Sequence, residues 1–348
     1  MFLYCDSLTF HTVSITSMKK IKIGVIGTGH LGSLHAKMFS VMDSVEFAGV
    51  YDMDSGKAER VAAQYGTASH KSLAELLEKV DAVSIAATTK AHYELAMQAV
   101  ERGIHVFMEK PITETIEQAT KLVQAAEAKK LKLQVGHIER FNSALMALEP
   151  YTIAPLFIES HRLAQFNPRG SDVSVVHDLM IHDIDLILSL VHSPVQRIDA
   201  NGVAVVSDSV DIANARLQFK NGCVANVTAS RISQNKMRKM RLFQHDSYIS
   251  IDFSQGVSEV FRLVDEGDRG LKPTLMLGQI EQGKRKRLIV YEQPDIKEVN
   301  ALEYELISFV ESVRDGKEPL VTGRDGLQAL EVAQEIVGII ESQAQKKM

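Results

Sequence analysis

Hydrophobic and polar positions follow two different patterns along the chain, and the first pattern covers residues 21–135. Short β-branched runs are each followed by a longer stretch in which apolar residues recur every three or four positions, the spacing of an amphipathic helix. This pattern predicts strands at Ile21–Ile26, Val45–Tyr51, Asp81–Ala86, His105–Met108 and Leu131–Val135. It predicts helices at His30–Val41, Ser55–Tyr65, Ala91–Glu101 and Thr113–Lys129. Strands that alternate with helices form right-handed βαβ units, so a doubly wound parallel sheet is predicted here.

The pattern changes after about Pro150, where strand-like segments follow one another along the chain. Asn221-Gly222 is typical of a two-residue hairpin turn, and the charged, glycine-rich residues 265–287 are predicted to form a long loop. Runs of strands joined by turns predict an α+β domain with a largely antiparallel open sheet. The predicted helices are Val173–Leu190, Asn300–Val313 and Arg324–Gln345, and the predicted strands are Gln196–Val206, Ile212–Phe219, Val224–Ser230, Met240–Phe253 and Leu288–Glu292.

Length and pattern together predict two domains, because 348 residues exceed one ordinary domain of about 150 residues. We expect the first at residues 18–140 and the second at residues 141–348, with C-terminal helices that can pack back on the first. Residues 1–17 have no basic segment and their apolar run is interrupted. We therefore expect a loose tail, or an overrun ahead of a native start at Met18, rather than a secretory leader.

Composition narrows the possible classes of protein without choosing a function. The net charge of −5 gives no support to a nucleic-acid partner, and the apolar stretches are too short for a membrane span. The two cysteines, Cys5 and Cys223, exclude a disulfide scaffold and a cysteine-rich metal site. They suit a reducing compartment, so a cytoplasmic location is expected.

A glycine-rich turn is the first candidate site. Gly27, Gly29 and Gly32 form a G-x-G-x-x-G that follows a predicted strand and opens a predicted helix, and Asp52 ends the next strand 20 residues later. Glycines at these positions permit a tight turn, a close approach of backbone to a pyrophosphate, and close helix–strand packing. The unpaired N–H groups at the helix start, including those of His30 and Leu31, would then face phosphate oxygens. Three glycines in a purely structural turn remain the alternative.

Asp52 also bears on which dinucleotide binds. A carboxylate accepts hydrogen bonds from a ribose diol but repels a 2′-phosphate, and no arginine follows it directly. NAD is therefore favoured over NADP, although Arg60 or Lys57 could fold back towards a phosphate. An aspartate that merely caps the helix at Ser55 is compatible with either cofactor.

The second candidate site is Met108-Glu109-Lys110-Pro111, directly after the fourth predicted strand. The carboxyl ends of strands in a doubly wound sheet face the ligand crevice, so Lys110 is predicted to point a cation towards cofactor and substrate. The following proline restrains its backbone. A solvated surface lysine is the alternative.

The third candidate site is the segment from His177 to Asp185. In a regular helix Asp178, His182 and Asp185 share one face, since they lie at positions i, i+4 and i+7. An aspartate one turn before a histidine can fix the ring orientation and tautomer that a general base needs. Zinc or iron ligation by these groups, and plain polar contacts with the other domain, are the alternatives.

Together these groups permit hydride transfer between a secondary alcohol and nicotinamide. His182 would accept the hydroxyl proton while Lys110 polarises the same oxygen, and which of the two takes the proton is left open.

Four segments resemble one known family in their order and spacing: IGVIGTGHLGSLHA, AATTKAHYELAMQAVERGIHVFMEKPIT, VGHIERFN and HDLMIHDIDLIL. They are similar to the Gfo/Idh/MocA oxidoreductases. The resemblance implies a Rossmann domain, an open-sheet domain, metal-independent NAD(P) chemistry on sugars, cyclitols or their derivatives, and homodimers or homotetramers formed through the sheet.

The resemblance also assigns residues. Lys110 matches the lysine of the family's E-K-P motif, with Glu109 near the nicotinamide ribose, and Asp178 and His182 match its D-x-x-x-H motif with Asp185 as the trailing acid. Thr88 and His92 fall in a loop that lines the cofactor. The chain departs from the family by carrying Thr89 and Lys90 for proline and a polar residue, Val173 and Ser174 near the usual paired glycines, and Met180 for a common glycine.

The segment Gly136–Asn142 resembles the nucleotide-sugar branch of the family, so a sugar or nucleotide-sugar substrate is implied. Arg140 and Asn142 are candidate substrate residues, and a second patch contains Arg162, Asn167 and Arg169. An interdomain salt bridge is the equally favoured alternative for Arg140. Because relatives of this fold also serve as regulators without turnover, a non-catalytic NAD-sensing protein is the alternative from another class.

Overall fold

Five parallel strands build the first sheet, in the spatial order β2-β1-β3-β4-β5. The computed structural model describes residues 20–167, 173–265, 275–282 and 285–345. The strands are β1 (Ile21–Ile26), β2 (Val45–Tyr51), β3 (Ala82–Ile85), β4 (His105–Glu109) and β5 (Leu133–Gly136). The helices are α1 (His30–Val41), α2 (Ser55–Tyr65), α3 (Leu73–Leu77), α4 (Thr89–Glu101) and α5 (Ile116–Ala128). The predicted doubly wound parallel sheet is confirmed.

Local signals explain where these helices begin and end. Thr115 and Gln118 form a reciprocal capping box, so α5 begins three residues later than the periodicity predicted. Gly66 adopts the left-handed conformation (φ 65°) that ends α2. The five-residue α3 was not predicted, because it is too short to show a helical period.

In the described residues, nine strands build the second sheet, in the order β13-β14-β12-β11-β10-β6-β9-β8-β7. All neighbours are antiparallel except β6 and β9. The largely antiparallel α+β domain is therefore confirmed. Its strands are β6 (Phe157–Leu163), β7 (Val195–Val203), β8 (Ile212–Phe219), β9 (Val224–Ser230), β10 (Met237–Gln244), β11 (Ser247–Asp252), β12 (Val257–Asp265), β13 (Leu275–Gln282) and β14 (Arg285–Glu292).

Three predictions for this sheet were wrong. The single strand Met240–Phe253 is a hairpin of β10 and β11 that turns at Asp246, a residue with φ 58°. The predicted loop 265–287 contains β13 and the start of β14, since the glycine within β13 and the three consecutive basic residues that begin β14 hide the strand period. The turn at Asn221-Gly222 has three residues, since Phe219 accepts a hydrogen bond from the N–H of Gly222 and donates one to the carbonyl of Cys223. Strands β6 and β12 were not predicted.

The helices of the second half lie between the two sheets and along the first. A 3-10 turn (Ile138–Phe141) and α6 (Ser143–Met146) follow β5, and a π-helical turn (Val176–Met180) leads into α7 (Ile181–Val191). The last helices are α8 (Ala301–Asp315) and α9 (Gly323–Gln345). Phe309 of α8 packs on Phe107 of β4, with ring centroids 5.8 Å apart. The described part of the chain contains no helix long and apolar enough to cross a membrane.

Candidate functional site

The glycine-rich turn between β1 and α1 is built as a ligand cradle. Gly27 has φ 88°, and a Cβ atom on Gly32 would lie 1.8 Å from the Gly27 carbonyl oxygen, so both positions require glycine. A Cβ atom on Gly29 would meet nothing within 4 Å, which leaves that backbone open to a ligand. Gly29 begins α1 without a side-chain cap, and the next residues, His30 and Leu31, are exposed. The first N–H groups of α1 are thus available to an anion.

Asp52 lies beside this cradle. Its Oδ2 accepts hydrogen bonds from the N–H and hydroxyl of Thr28 at 2.6 and 2.9 Å, and its Oδ1 accepts one from the N–H of Asp54 at 2.9 Å. Burial raises the pKa of Asp52, but these hydrogen bonds outweigh it and hold the pKa below its ordinary value. Because a carboxylate has about four acceptor positions, one remains for a further donor.

His92 joins the two loops that border the crevice. The resemblance placed it against the cofactor, yet the ring is 1% exposed and both its nitrogens face carbonyl oxygens. Nδ1 lies 3.0 Å from the oxygen of Pro111, and Nε2 lies 3.2 Å from that of Ala87. Burial lowers its pKa. His92 can therefore act on a cofactor only through these loops, whereas Thr88, the first residue before α4, is exposed.

Lys110 projects from the end of β4 towards the π-helical turn. Its Nζ donates a hydrogen bond to the carbonyl oxygen of Asp178 at 2.7 Å and lies 3.8 Å from the Asp178 carboxylate. The side chain is 19% exposed. Burial lowers the pKa of Lys110, against the opposing effect of Asp178 and Glu109. The sequence prediction that Lys110 and this segment meet agrees with their positions.

The arrangement predicted within the segment was wrong in one respect. The π-helical turn adds a residue to one helical turn, so Asp178 leaves the face shared by His182 and Asp185. The predicted hydrogen bond from the ring of His182 to the Asp178 carboxylate is not formed, since Nδ1 of His182 is buried and has no partner in the described part of the chain. Asp178 is 42% exposed and faces Lys110 instead.

His182 lies at the start of α7 and is half-buried. Burial, followed by the positive charges of Lys110 and Arg162, lowers the pKa of His182 well below its ordinary value. The ring is therefore neutral at neutral pH. Since Nδ1 is enclosed, the accessible part of the ring is its remaining edge, which is the part a substrate oxygen can approach.

Two candidate substrate residues, Arg140 and Arg162, form ion pairs with buried carboxylates. Arg140 donates two hydrogen bonds, of 2.7 and 2.8 Å, to the carboxylate of Asp185. Arg162 is 5% exposed and pairs with Asp183 and Glu139, at 2.6 and 2.9 Å. These pairs connect α7, β6 and the 3-10 turn.

The side chain of Asn142 likewise forms hydrogen bonds with backbone groups. It caps α6 by accepting a hydrogen bond from the N–H of Ala144, and it donates to the carbonyl of Phe253. Asn167 follows β6 among the described residues and has an interaction partner. Arg169 lies outside the described residues, as do residues 1–17.

Sequence reasoning missed three buried polar residues beneath Glu109 and Asp185: His35, His137 and Glu305. Nε2 of His35 lies 3.1 Å from Oε1 of Glu109, and Nδ1 of His137 lies 4.0 Å from Oδ2 of Asp185. A histidine or glutamate at an apolar position of a helical period was the available signal for His35 and Glu305, whereas His137 lies between β5 and the 3-10 turn and offers no such period. In the described ranges no group of three histidine, cysteine or acidic side chains is placed to hold a metal ion.

Comparison with known proteins identifies what this geometry is similar to. Residues 21–137 match an oxidoreductase family with an NAD-binding Rossmann fold, and residues 136–257 match the Gfo/Idh/MocA C-terminal domain. UDP-N-acetylglucosamine 3-dehydrogenase of Acidithiobacillus ferrooxidans is 40% identical over 245 residues, which is 70% of this chain and 78% of that protein.

Two further comparisons extend over nearly the whole chain. The solved structure of the UDP-N-acetylglucosamine 3-dehydrogenase from Acidithiobacillus ferrooxidans superposes with a TM-score of 0.82 at 33% identity, covering 93% of this chain and 99% of that one. Myo-inositol 2-dehydrogenase of Thermotoga maritima is 25% identical over 328 residues, which is 89% of this chain and 93% of that protein.

Proposed function

Because the chain belongs to the Gfo/Idh/MocA family of NAD-binding oxidoreductases, which act on alcohol groups, we propose that it oxidises a nucleotide sugar, and specifically the 3-hydroxyl of UDP-N-acetylglucosamine. The observation that carries the reaction is the 2.7 Å hydrogen bond from Lys110 to Asp178, which holds the end of β4 against the segment that carries His182. Residues 18–140 would bind the dinucleotide and residues 141–348 the sugar.

The cradle fits NAD. Gly29 leaves the backbone open, the start of α1 offers N–H groups, and Asp52 keeps an acceptor position for a ribose hydroxyl. Thr88 and Glu109 would line the nicotinamide end. When bound, the nicotinamide ring supplies the hydride acceptor or donor.

Lys110 and His182 would have different roles at the substrate oxygen. A general acid or base works best when its pKa is near the working pH. Burial moves the pKa of Lys110 down towards neutrality and that of His182 away from it. Lys110 would therefore exchange the proton, while the neutral His182 ring would hydrogen-bond the same oxygen and orient it. Asp178, next to Lys110, would tune and hold the ammonium.

The substrate proposal rests on the relative that is 40% identical and named UDP-N-acetylglucosamine 3-dehydrogenase. The segment Gly136–Asn142, which resembles the nucleotide-sugar branch of the family, supports it and lies between the end of β5 and α6. A free sugar or an inositol is the second candidate, favoured by the myo-inositol 2-dehydrogenase relative.

The test is the formation of NADH, followed by its absorbance, with UDP-N-acetylglucosamine and with a panel of free sugars and inositols. We expect turnover with the nucleotide sugar at a kcat/KM at least about tenfold above every panel member, a difference of about 1.4 kcal/mol in the transition state. Turnover confined to the free sugars or inositols would refute the substrate and leave the reaction type intact.

A row of aromatic side chains supports assembly through the second sheet. Rings from five neighbouring strands contact one another in sequence across the face opposite the helices, at centroid distances of 5.8, 5.0, 5.5 and 5.1 Å. The row consists of Phe157, Phe243, Tyr248, Phe261 and Tyr291. We propose that this face forms a homodimer or homotetramer in the cytoplasm. Sedimentation of Phe243→Glu should then show a smaller species than the wild type, whereas an unchanged mass would argue against the interface.

A further inference from the structure

Glu305 is a carboxylic acid in a place where a charge is costly. It lies on α8, is 0% exposed, and neither oxygen has a hydrogen-bond partner among the described residues. Glu305 lies outside both segments that match the family, which end at residue 257. An unpaired ionised carboxylate at such a position costs several kcal/mol, so the residue needs a physical reason to be there.

The packing of α8 places Glu305 beside the end of β4. Phe309 lies over Phe107, and Glu305 precedes Phe309 by one helical turn of about 5.4 Å. Glu109 follows Phe107 by two strand residues, about 6.6 Å, on the same face of the sheet. The carbonyl of Glu305 accepts a hydrogen bond from Gln134, which pairs with Phe107 in the β4–β5 register. The helix therefore packs over β4 and β5, with the backbone of Glu305 beside Gln134 and on the face of the sheet that carries Phe107 and Glu109.

Glu109 is held from its other side by α1. Nε2 of His35 lies 3.1 Å from Oε1 of Glu109, while Nδ1 of His35 lies 2.7 Å from the hydroxyl of Ser84. A serine hydroxyl can donate to Nδ1, which leaves the proton on Nε2, close to Glu109 but without hydrogen-bond geometry towards it. The other carboxylate oxygen, Oε2, faces Gly136, where a Cβ atom would lie 3.1 Å away. Glu109 is thus enclosed on several sides and directly precedes Lys110.

We propose that Glu305 is a positioning residue that stays protonated, shares its proton with the Glu109 carboxylate, and so fixes Glu109 at the nicotinamide end of the cofactor site. A protonated carboxyl donates one hydrogen bond, and a carboxylate acceptor makes that bond short and strong. Burial, followed by the negative charges of Glu109 and Asp185, raises the pKa of Glu305 well above the ordinary value. His35 of α1 and Arg140 of the 3-10 turn face the same two carboxylates. The inference rests on NAD binding at this site.

The protonation state is tested first, by 13C NMR of the protein labelled at the glutamate carboxyl carbon. The signal that disappears in Glu305→Gln identifies the residue. We expect that signal at the position of a protonated acid at neutral pH, where an ordinary glutamate in water is ionised. A signal at the ionised position would overturn the proposal. This measurement requires neither turnover nor bound cofactor.

The link to Glu109 is tested by fluorescence titration with NADH. Glu305→Gln keeps a neutral donor and should bind NADH within about twofold of wild type, whereas Glu305→Leu should bind at least about fivefold more weakly. In a Glu109→Gln background the loss from Glu305→Leu should shrink to less than about twofold. Glu303→Gln, which changes an exposed carboxylate on α8, should have no effect.

Two results would overturn the proposal. One is an equal loss of NADH affinity from Glu305→Leu in both backgrounds, since a merely structural role is independent of Glu109. The other is a weakened Glu305→Gln, since the neutral amide should replace a neutral acid. If Glu305→Leu does not fold, the NMR signal and the NADH affinity of Glu305→Gln still test the proposal. Failure of the substrate proposal would leave NADH binding in place, whereas failure of the NAD proposal would appear as no binding in any variant, including wild type.

Discussion

Replacing Arg140 by methionine separates a structural role of its guanidinium from a role in substrate binding. Nε and Nη2 donate to both oxygens of Asp185, whose side chain is 1% exposed against 12% for Arg140. Arg140→Met keeps most of the side-chain volume but leaves the Asp185 carboxylate buried without its partner. Loss of one partner of a buried ion pair costs about 3–5 kcal/mol, and two charge-assisted hydrogen bonds of about 1.5–3 kcal/mol each give a similar value.

The assay is urea denaturation followed by circular dichroism at neutral pH without cofactor. We expect Arg140→Met to lower the free energy of unfolding by about 3–5 kcal/mol, and a second change, Asp185→Asn, to recover much of that loss because it removes the stranded charge. The matched control is Arg324→Met, which breaks the exposed pair with Glu127 and should cost less than about 1 kcal/mol.

One outcome would refute this reasoning. If Arg140→Met costs less than about 1 kcal/mol while KM for the sugar nucleotide rises at least about tenfold, the guanidinium acts on the substrate and not on Asp185.

Three further predictions follow from the same structure. Gly32→Ala should abolish NADH binding and lower the melting temperature, because its Cβ atom would lie 1.8 Å from the Gly27 carbonyl oxygen, whereas Gly29→Ala should weaken NADH binding at an unchanged melting temperature. Lys110→Met should lower kcat by about 10²–10⁴-fold at nearly unchanged NADH affinity. In wild type, kcat for alcohol oxidation should rise with pH through the lowered pKa of Lys110, and this rise should be absent from the variant. Burial raises the pKa of Asp211, but hydrogen bonds from Ser207 and neighbouring N–H groups outweigh it and depress the pKa. The stabilisation by Asp211 is therefore present above about pH 4 and is lost on acidification towards the folded-state pKa. Asp211→Asn should lower the free energy of unfolding at neutral pH, and urea titrations should show a smaller loss of that free energy on acidification.

The first half of the chain could be predicted well because its signals are local. Strand β1 and helix α1 have the predicted bounds, Ile21–Ile26 and His30–Val41, since a buried strand and an amphipathic helix each carry their own period. The second sheet was harder to predict. Strand β13 (LMLGQIEQ) shows no alternation, and β14 begins with three consecutive basic residues. Other neighbours in this sheet, such as β6 and β9, lie far apart along the chain, so their pairing depends on contacts that no local pattern shows.

In the candidate site, too, some features could be predicted from the sequence and one could not. The glycine spacing, Asp52 and the position of Lys110 at a strand end follow from the sequence, because each is fixed by a turn or a strand terminus in its own segment. The π-helical turn at Val176–Met180 could not be predicted, since it has the composition of an ordinary helix, and it turns Asp178 from His182 towards Lys110.

The sequence by itself determined the fold class and the glycine-rich nucleotide cradle, and it supplied the candidate groups for the reaction. Only the tertiary structure decided which of these groups are free. It paired Arg140 with Asp185 and Arg162 with Asp183, and it enclosed both nitrogens of His92 between two carbonyl oxygens. It also brought Glu305 of α8 against Gln134 of β5. The physical reason is that a buried charge must find its partner in space, and that partner lies on another element of the fold, at a distance along the chain that no local pattern encodes.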